Sequence, residues 1–301
     1  MGDFTAFPLS VYPSAAFPDA PVTSGFSLAT AGTMTWAAQA AYEVSGGTKL
    51  TDILRRWNWQ LVAVFDKLAP GAWVRSGATG YVARTGNITV VAVAGTEPEK
   101  PTDWLEDFKM VPDSDGAHPG FLDGARTIGP VIDAAMSEAS GPIILTGHSL
   151  GAAIVAMAAM RMTDEAVQRL SGVYTIGMPR PGTARYRDAY NPRLGARTFR
   201  LVHGEDLVTT VPPASIGYRA VGALLACPRG GRFQGAPTIP PDEGPLPVET
   251  AELPINLLPL GNTAPRYPSG NPLVAETVAH LSGALRDHLP DGYLRALGVM
   301  T

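Results

Sequence analysis

Cysteine is almost missing from these 301 residues: Cys227 stands alone, so no disulfide can close within the chain. A lone cysteine fits a cytoplasmic protein and leaves a secreted one open. Positive charge is also scarce, with 23 Lys and Arg against 27 Asp and Glu. Without a basic stripe to neutralise phosphates, a nucleic-acid partner is not expected. No apolar run reaches the ~18–20 residues of a membrane span. The first residues carry Asp3 and no basic cluster, so as written they lack a signal peptide's charged start. The expected location is therefore cytoplasmic, or secreted after processing. Internal repeats, phosphate-cradling loops and metal-ligand spacings are missing too, so no metal or organic cofactor is expected. A length of 301 residues at 45% hydrophobic suffices for one large α/β domain, and we read 1–301 as a single domain.

What is present is concentrated in Pro142-Ile143-Ile144-Leu145-Thr146-Gly147-His148-Ser149-Leu150-Gly151-Ala152-Ala153. A short apolar strand runs through a GxSxG turn into a helix of small residues, the context that a nucleophile elbow needs. A serine hydroxyl must stand clear of the backbone on a strained turn. Gly147 and Gly151 remove the Cβ atoms that would crowd strand against helix. Backbone N–H groups at the helix start can then stabilise a developing oxyanion. Ser149 is thus the candidate nucleophile.

The rest of the chain alternates strands with helices, as in a mostly parallel α/β sheet. Residues 1–25, with four prolines, read as an extended arm. Apolar spacing predicts helices over Ser27–Val44 and Thr51–Leu68. Strands follow at Trp73–Val74, Gly80–Arg84 and Ile88–Ala94. Asp103–Phe108 reads as an amphipathic turn and Gly120–Ala139 as a helix. Val173–Gly177 and Thr198–Val202 are further strands. The stretch 228–272 holds 11 of the 28 prolines and reads as an ordered, helix-poor insertion. Helical periodicity returns at Val274–Leu285 and Asp291–Leu297.

A serine nucleophile needs a base, and the base an orienting carboxylate. In the chain order of such elbows the acid follows the serine and the histidine comes last. Asp206 lies just beyond the strand ending at Val202, where parallel sheets place their sites. Of five histidines, His118 and His148 come too early and His203 precedes the acid. His280 and His288 both remain open as the base.

Several motifs occur in order: Gly95-Thr96, Asp103-Trp104-Leu105, His118-Pro119-Gly120-Phe121, GHSLGAA at 147–153, Gly177-Met178-Pro179-Arg180-Pro181-Gly182 and Asp206-Leu207-Val208 running to Pro213. Ala38–Glu43 and Asp287–Leu294 extend the series. Together they resemble the class 3 lipases, the fungal-lipase-like α/β hydrolases, over roughly residues 30–225 and 280–297. The resemblance implies an α/β-hydrolase fold and a Ser149–Asp206–His288 triad, with His288 favoured over His280 by the Tyr293-Leu294 pair that follows it. It also implies an oxyanion hole from Thr96 and the backbone N–H of Leu150. Where the family usually has an arginine before the Gly-Thr pair, this chain has Ala94. Residues 97–112 fall where relatives carry a lid, with Trp104, Leu105 and Phe108 as its apolar members. The implied activity is ester hydrolysis, as a lipase or lipase-like esterase, on an ester or lipid substrate that can lie at a lipid–water interface. An acyltransferase, a feruloyl-type esterase and a non-catalytic lipid-binding protein are the alternatives.

Overall fold

Side-chain alternation along two buried strands sets the layers. In Ile88–Val93 and Ile143–His148 every residue is buried, yet neighbours point to opposite faces. Val90, Ala92 and Ile144 join one apolar core, and Val91, Val93, Ile143 and Leu145 join another. A sheet buried on both faces in this way must carry helices on both.

The computed structural model describes residues 6–14, 25–67, 78–95, 111–241, 268 and 282–301. The strands are β1 (Gln60–Lys67), β2 (Ala78–Thr85), β3 (Ile88–Val93), β4 (Ile143–His148), β5 (Leu170–Ile176), β6 (Gly182–Thr183), β7 (Thr198–His203), β8 (Tyr218–Arg219) and β9 (Ala223–Cys227). The main sheet runs β1-β2-β3-β4-β5-β7-β9, with β6 and β8 paired apart. β1, β2 and β3 are antiparallel; from β3 to β9 every pairing is parallel. The helices are α1 (Leu28–Ala40), α2 (Lys49–Arg56), α3 (Pro119–Ser137), α4 (Leu150–Arg161), α5 (Asp164–Arg169), α6 (Ala184–Leu194), α7 (Gly283–Arg286) and α8 (Pro290–Ala296).

One face is covered by α1 and α8, through Met34, Trp36, Tyr293 and Leu294. The Ser27 hydroxyl caps α1 by accepting the Thr30 N–H. The other face is covered by α3 and α4, through Phe121, Ile128, Ile154 and Val155. Phe7 and Tyr12 of the N-terminal arm are buried, and both donate to the Glu43 carboxylate, so this part of the arm is pinned to the body.

Most predicted elements occur within a few residues of their expected bounds. Thr51–Leu68 does not hold as one helix. It divides into α2 and β1 at Trp57-Asn58-Trp59, where Asn58 has φ 57°. Asparagine tolerates that left-handed conformation, which stops a helix. The β-branched Val62 and Val64 beyond it suit a strand paired with β2. The expectations for Trp73–Val74, Asp103–Phe108 and most of Val274–Leu285 lie outside the described residues. Of 228–272, residues 228–241 are described without a helix, and a Leu224–Thr238 bridge ties them to β9.

Candidate active site

The carboxyl ends of four parallel neighbours converge. β3 leads to Gly95, β4 to the elbow, β5 to Gly177 and β7 to the loop bearing Asp206. Ser149 takes φ 57° and ψ −129° between β4 and α4, a conformation that costs a non-glycine residue of order 1–3 kcal/mol. The turn is held by Ser149 N–H donating to the Ile176 carbonyl at 2.9 Å and by Ala152 N–H donating to the Ser149 carbonyl at 3.0 Å. Glycine is required on both sides of it. A Cβ on Gly151 would stand 2.4 Å from the Val93 carbonyl oxygen, and one on Gly147 would stand 2.5 Å from the Gly151 backbone. Gly95 packs directly on the serine, since a Cβ there would lie 2.7 Å from Ser149 Cβ.

Asp206 and His288 meet although 82 residues separate them. His288 Nδ1 lies 2.9 Å from both carboxylate oxygens, and both side chains are buried. Asp206 also accepts from the Val208 N–H at 2.9 Å and the Tyr293 hydroxyl at 2.6 Å. Burial alone would raise the Asp206 pKa. The adjacent His288 ring and the hydrogen bonds from His288 and Tyr293 outweigh it and hold the carboxyl below its ordinary range. The Asp206 carboxyl is therefore ionised at neutral pH, and the proton between the pair sits on His288 Nδ1.

The loops bearing Asp206 and His288 are fastened to each other. Asp287 accepts from the Glu205 N–H at 2.8 Å and from the Arg229 guanidinium at 2.7–3.0 Å. Arg286 and Asp291 form a buried two-pronged ion pair at 2.6 Å, closing the loop around His288. A cavity of about 470 Å³ opens on this side, lined by His203, Arg229, Arg232, Asp287 and Gly292 among others. Next to Ser149, His148 is buried, with its ring centroid 4.7 Å from that of His288. Its Nε2 lies 2.8 Å from the His288 carbonyl oxygen and its Nδ1 lies 2.7 Å from the Tyr42 hydroxyl.

Residues 90–216 match the family described as lipase (class 3). A secreted mono- and diacylglycerol lipase of Fusarium solani is 35% identical over 109 residues, covering 35% of this chain and 32% of that protein. A lipase of Rhizomucor miehei is 27% identical over 188 residues, covering 56% of this chain and 47% of that protein. The crystal structure of a lipase from Rhizopus microsporus var. chinensis superposes with a TM-score of 0.55 at 21% identity, covering 71% of this chain and 83% of that one. Residues 90–216 belong to the class 3 lipase family.

The fold is that of the α/β hydrolases, which the structural likeness shows. The chain spans less than half the length of both lipases named above from Fusarium solani and Rhizomucor miehei. The family match runs from β3 through the elbow to just past Asp206; His288 lies beyond it. Ser149, Leu150, Asp206 and His288 are all described, and the last two are in contact. Thr96, Trp104, Leu105, Phe108 and His280 lie outside the described residues. Sequence reasoning missed Tyr42, His148, Arg229 and Asp287 as parts of the site. Tyr42 and His148 do sit inside quoted motifs, which is a signal of sorts. Asp287 likewise opens the Asp287–Leu294 motif, whereas Arg229, 58 residues before it, lies in no motif. Among the described residues no group of His, Cys, Asp or Glu could hold a metal ion, and no helix is long and apolar enough to cross a membrane.

Proposed function

We propose that the protein is a serine carboxylic-ester hydrolase, a lipase or lipase-like esterase, using Ser149, His288 and Asp206. The observation that carries this reading is the buried Asp206–His288 pair at the same sheet end as a serine held at positive φ. With the Nδ1 proton directed to Asp206, the Nε2 lone pair of His288 is the base. Ser149 Oγ attacks the ester carbonyl while Nε2 takes its proton. The C–O bond to the alcohol then breaks as Nε2 returns that proton to the leaving oxygen. Water repeats the sequence on the acyl-enzyme and frees the acid. Asp206 keeps the tautomer and stabilises the imidazolium. The Leu150 N–H at the start of α4 and the Thr96 N–H hold the tetrahedral oxyanion, each donor being worth about 3–4 kcal/mol. The family resemblance supports Trp104, Leu105 and Phe108 as apolar members of a lid. The name of the Fusarium solani relative supports lipid esters as substrates and the secreted alternative for location. Detection of the native protein only inside cells would remove that last point.

The test is hydrolysis of p-nitrophenyl esters from acetate to palmitate, below and above micellisation, with Ser149→Ala as the control. The variant should lose at least about 1,000-fold in kcat. A rate jump on aggregated long-chain esters is the expected signature of a lipase; preference for short soluble esters makes it an esterase. Undiminished turnover by Ser149→Ala would falsify the assignment of the nucleophile.

A further inference from the structure

Period-two alternation along β4 puts Ile144, Thr146 and His148 on the face covered by α1. Thr146 donates to the Met34 carbonyl of that helix at 3.0 Å. The 3₁₀ turn Ala41–Glu43 that continues α1 carries Tyr42 to the end of the same face. Three hydrogen bonds meet there. The Gly95 N–H donates to the Tyr42 hydroxyl oxygen at 2.9 Å, that hydroxyl lies 2.7 Å from His148 Nδ1, and His148 Nε2 lies 2.8 Å from the His288 carbonyl oxygen.

We propose that Tyr42 and His148 are positioning residues, a relay of fixed polarity that sets the main chain of His288 against the end of β3. The proposal rests on the triad reading above. A carbonyl only accepts, so His148 Nε2 must carry a proton. Burial, reinforced by the facing His288 ring, pushes the His148 pKa down to about 3. The imidazole is then neutral and its Nδ1 is bare. A bare Nδ1 needs a donor, and the Tyr42 O–H supplies it. The Tyr42 oxygen is left to accept the Gly95 N–H. Every proton therefore points one way: Gly95 to Tyr42, Tyr42 to His148, His148 to His288.

The consequence is geometric. Gly95 precedes Thr96 and packs on Ser149, so the relay starts beside the nucleophile and the proposed oxyanion donor. It ends on the backbone of the base. Asp206 fixes the His288 ring through Nδ1, and the relay fixes its carbonyl. Two anchors on opposite sides of the Cα leave the ring little freedom to swing from Ser149. Displacements of about 1 Å in such an arrangement can cost 100-fold in rate.

Kinetics of Tyr42→Phe, His148→Ala and the double variant test this. Each single variant should lose about tenfold or more in kcat with KM within about twofold. The double variant should be no worse than His148→Ala alone, because the relay is one chain. Wild-type kcat in both single variants, or losses that multiply in the double, would overturn it. Should the variants fail to fold, ¹⁵N spectroscopy of the unaltered protein at neutral pH still decides. The expected signature is a neutral His148 protonated at Nε2, whereas an Nδ1–H tautomer or an imidazolium overturns the relay. Failure of the triad reading would look different, as turnover persisting in Ser149→Ala.

Discussion

Gly177 follows β5 at φ 60° and lies against the Asp206–His288 pair, where a Cβ would stand 2.8 Å from Asp206 Oδ2 and 3.0 Å from His288 Nδ1. Neither neighbour is a flexible chain end; both are buried and hydrogen-bonded to each other. Gly177→Ala must therefore either part them or shift the strand end, besides placing a Cβ in a left-handed backbone. We expect kcat to fall about 100-fold while the protein stays folded. Steady-state kinetics and circular dichroism check this, and unchanged turnover would contradict the close approach. At this scale the sequence was informative where a residue's role is written locally. The proposed nucleophile Ser149 is legible in the GxSxG turn, and the proposed acid Asp206 in its place after a strand. Chain order left His280 and His288 as equals, because the contact that favours His288 spans 82 residues. Glycine at 177 belongs to a recognisable motif, but nothing local tells that it clears room for two side chains from elsewhere.

Elements were legible in proportion to how much of their environment is local. β3 and β4 are buried throughout and mostly apolar because both faces are covered, and α4 is alanine-rich because it lies close on the sheet. The helix expected over Thr51–Leu68 failed for a physical reason. Apolar residues at Leu61, Val62, Val64 and Phe65 suit either a helix face or an edge strand until pairing with β2 decides. The boundary depends on Asn58 at φ 57°, backed by the Trp59 N–H donating to the Leu54 carbonyl at 2.8 Å. Asn58→Gly should leave stability within about 0.5 kcal/mol of wild type, since glycine enters this region without strain. Asn58→Val should cost about 1–2 kcal/mol, because a β-branched side chain crowds the left-handed backbone. Urea midpoints of the two variants check the order. Equal midpoints would mean that the turn relaxes without cost.

Over the whole molecule, burial of neutral histidines links stability to pH. His118 stacks on Phe121 at 3.9 Å, and burial lowers its pKa to about 4. His148 is lowered to about 3, by burial and by the His288 ring. Unfolded, both return to the ordinary value of about 6.5. Between about pH 6.5 and 4 the unfolded chain then holds protons that the folded one does not, so acid favours unfolding there. Each group contributes a slope of at most about 1.4 kcal/mol per pH unit in this window. Asp206 acts elsewhere: its pKa is depressed, so its contribution persists above the ordinary carboxylate value and is lost only as pH falls further. Urea melts at pH 6.5, 5.5 and 4.5 should therefore show stability falling with a steepening slope. His118→Gln should remove about half of that slope between pH 5.5 and 4.5, whatever it does to stability at pH 7. A flat profile in the unaltered protein, or an unchanged slope in the variant, would mean that the buried rings take up protons without unfolding.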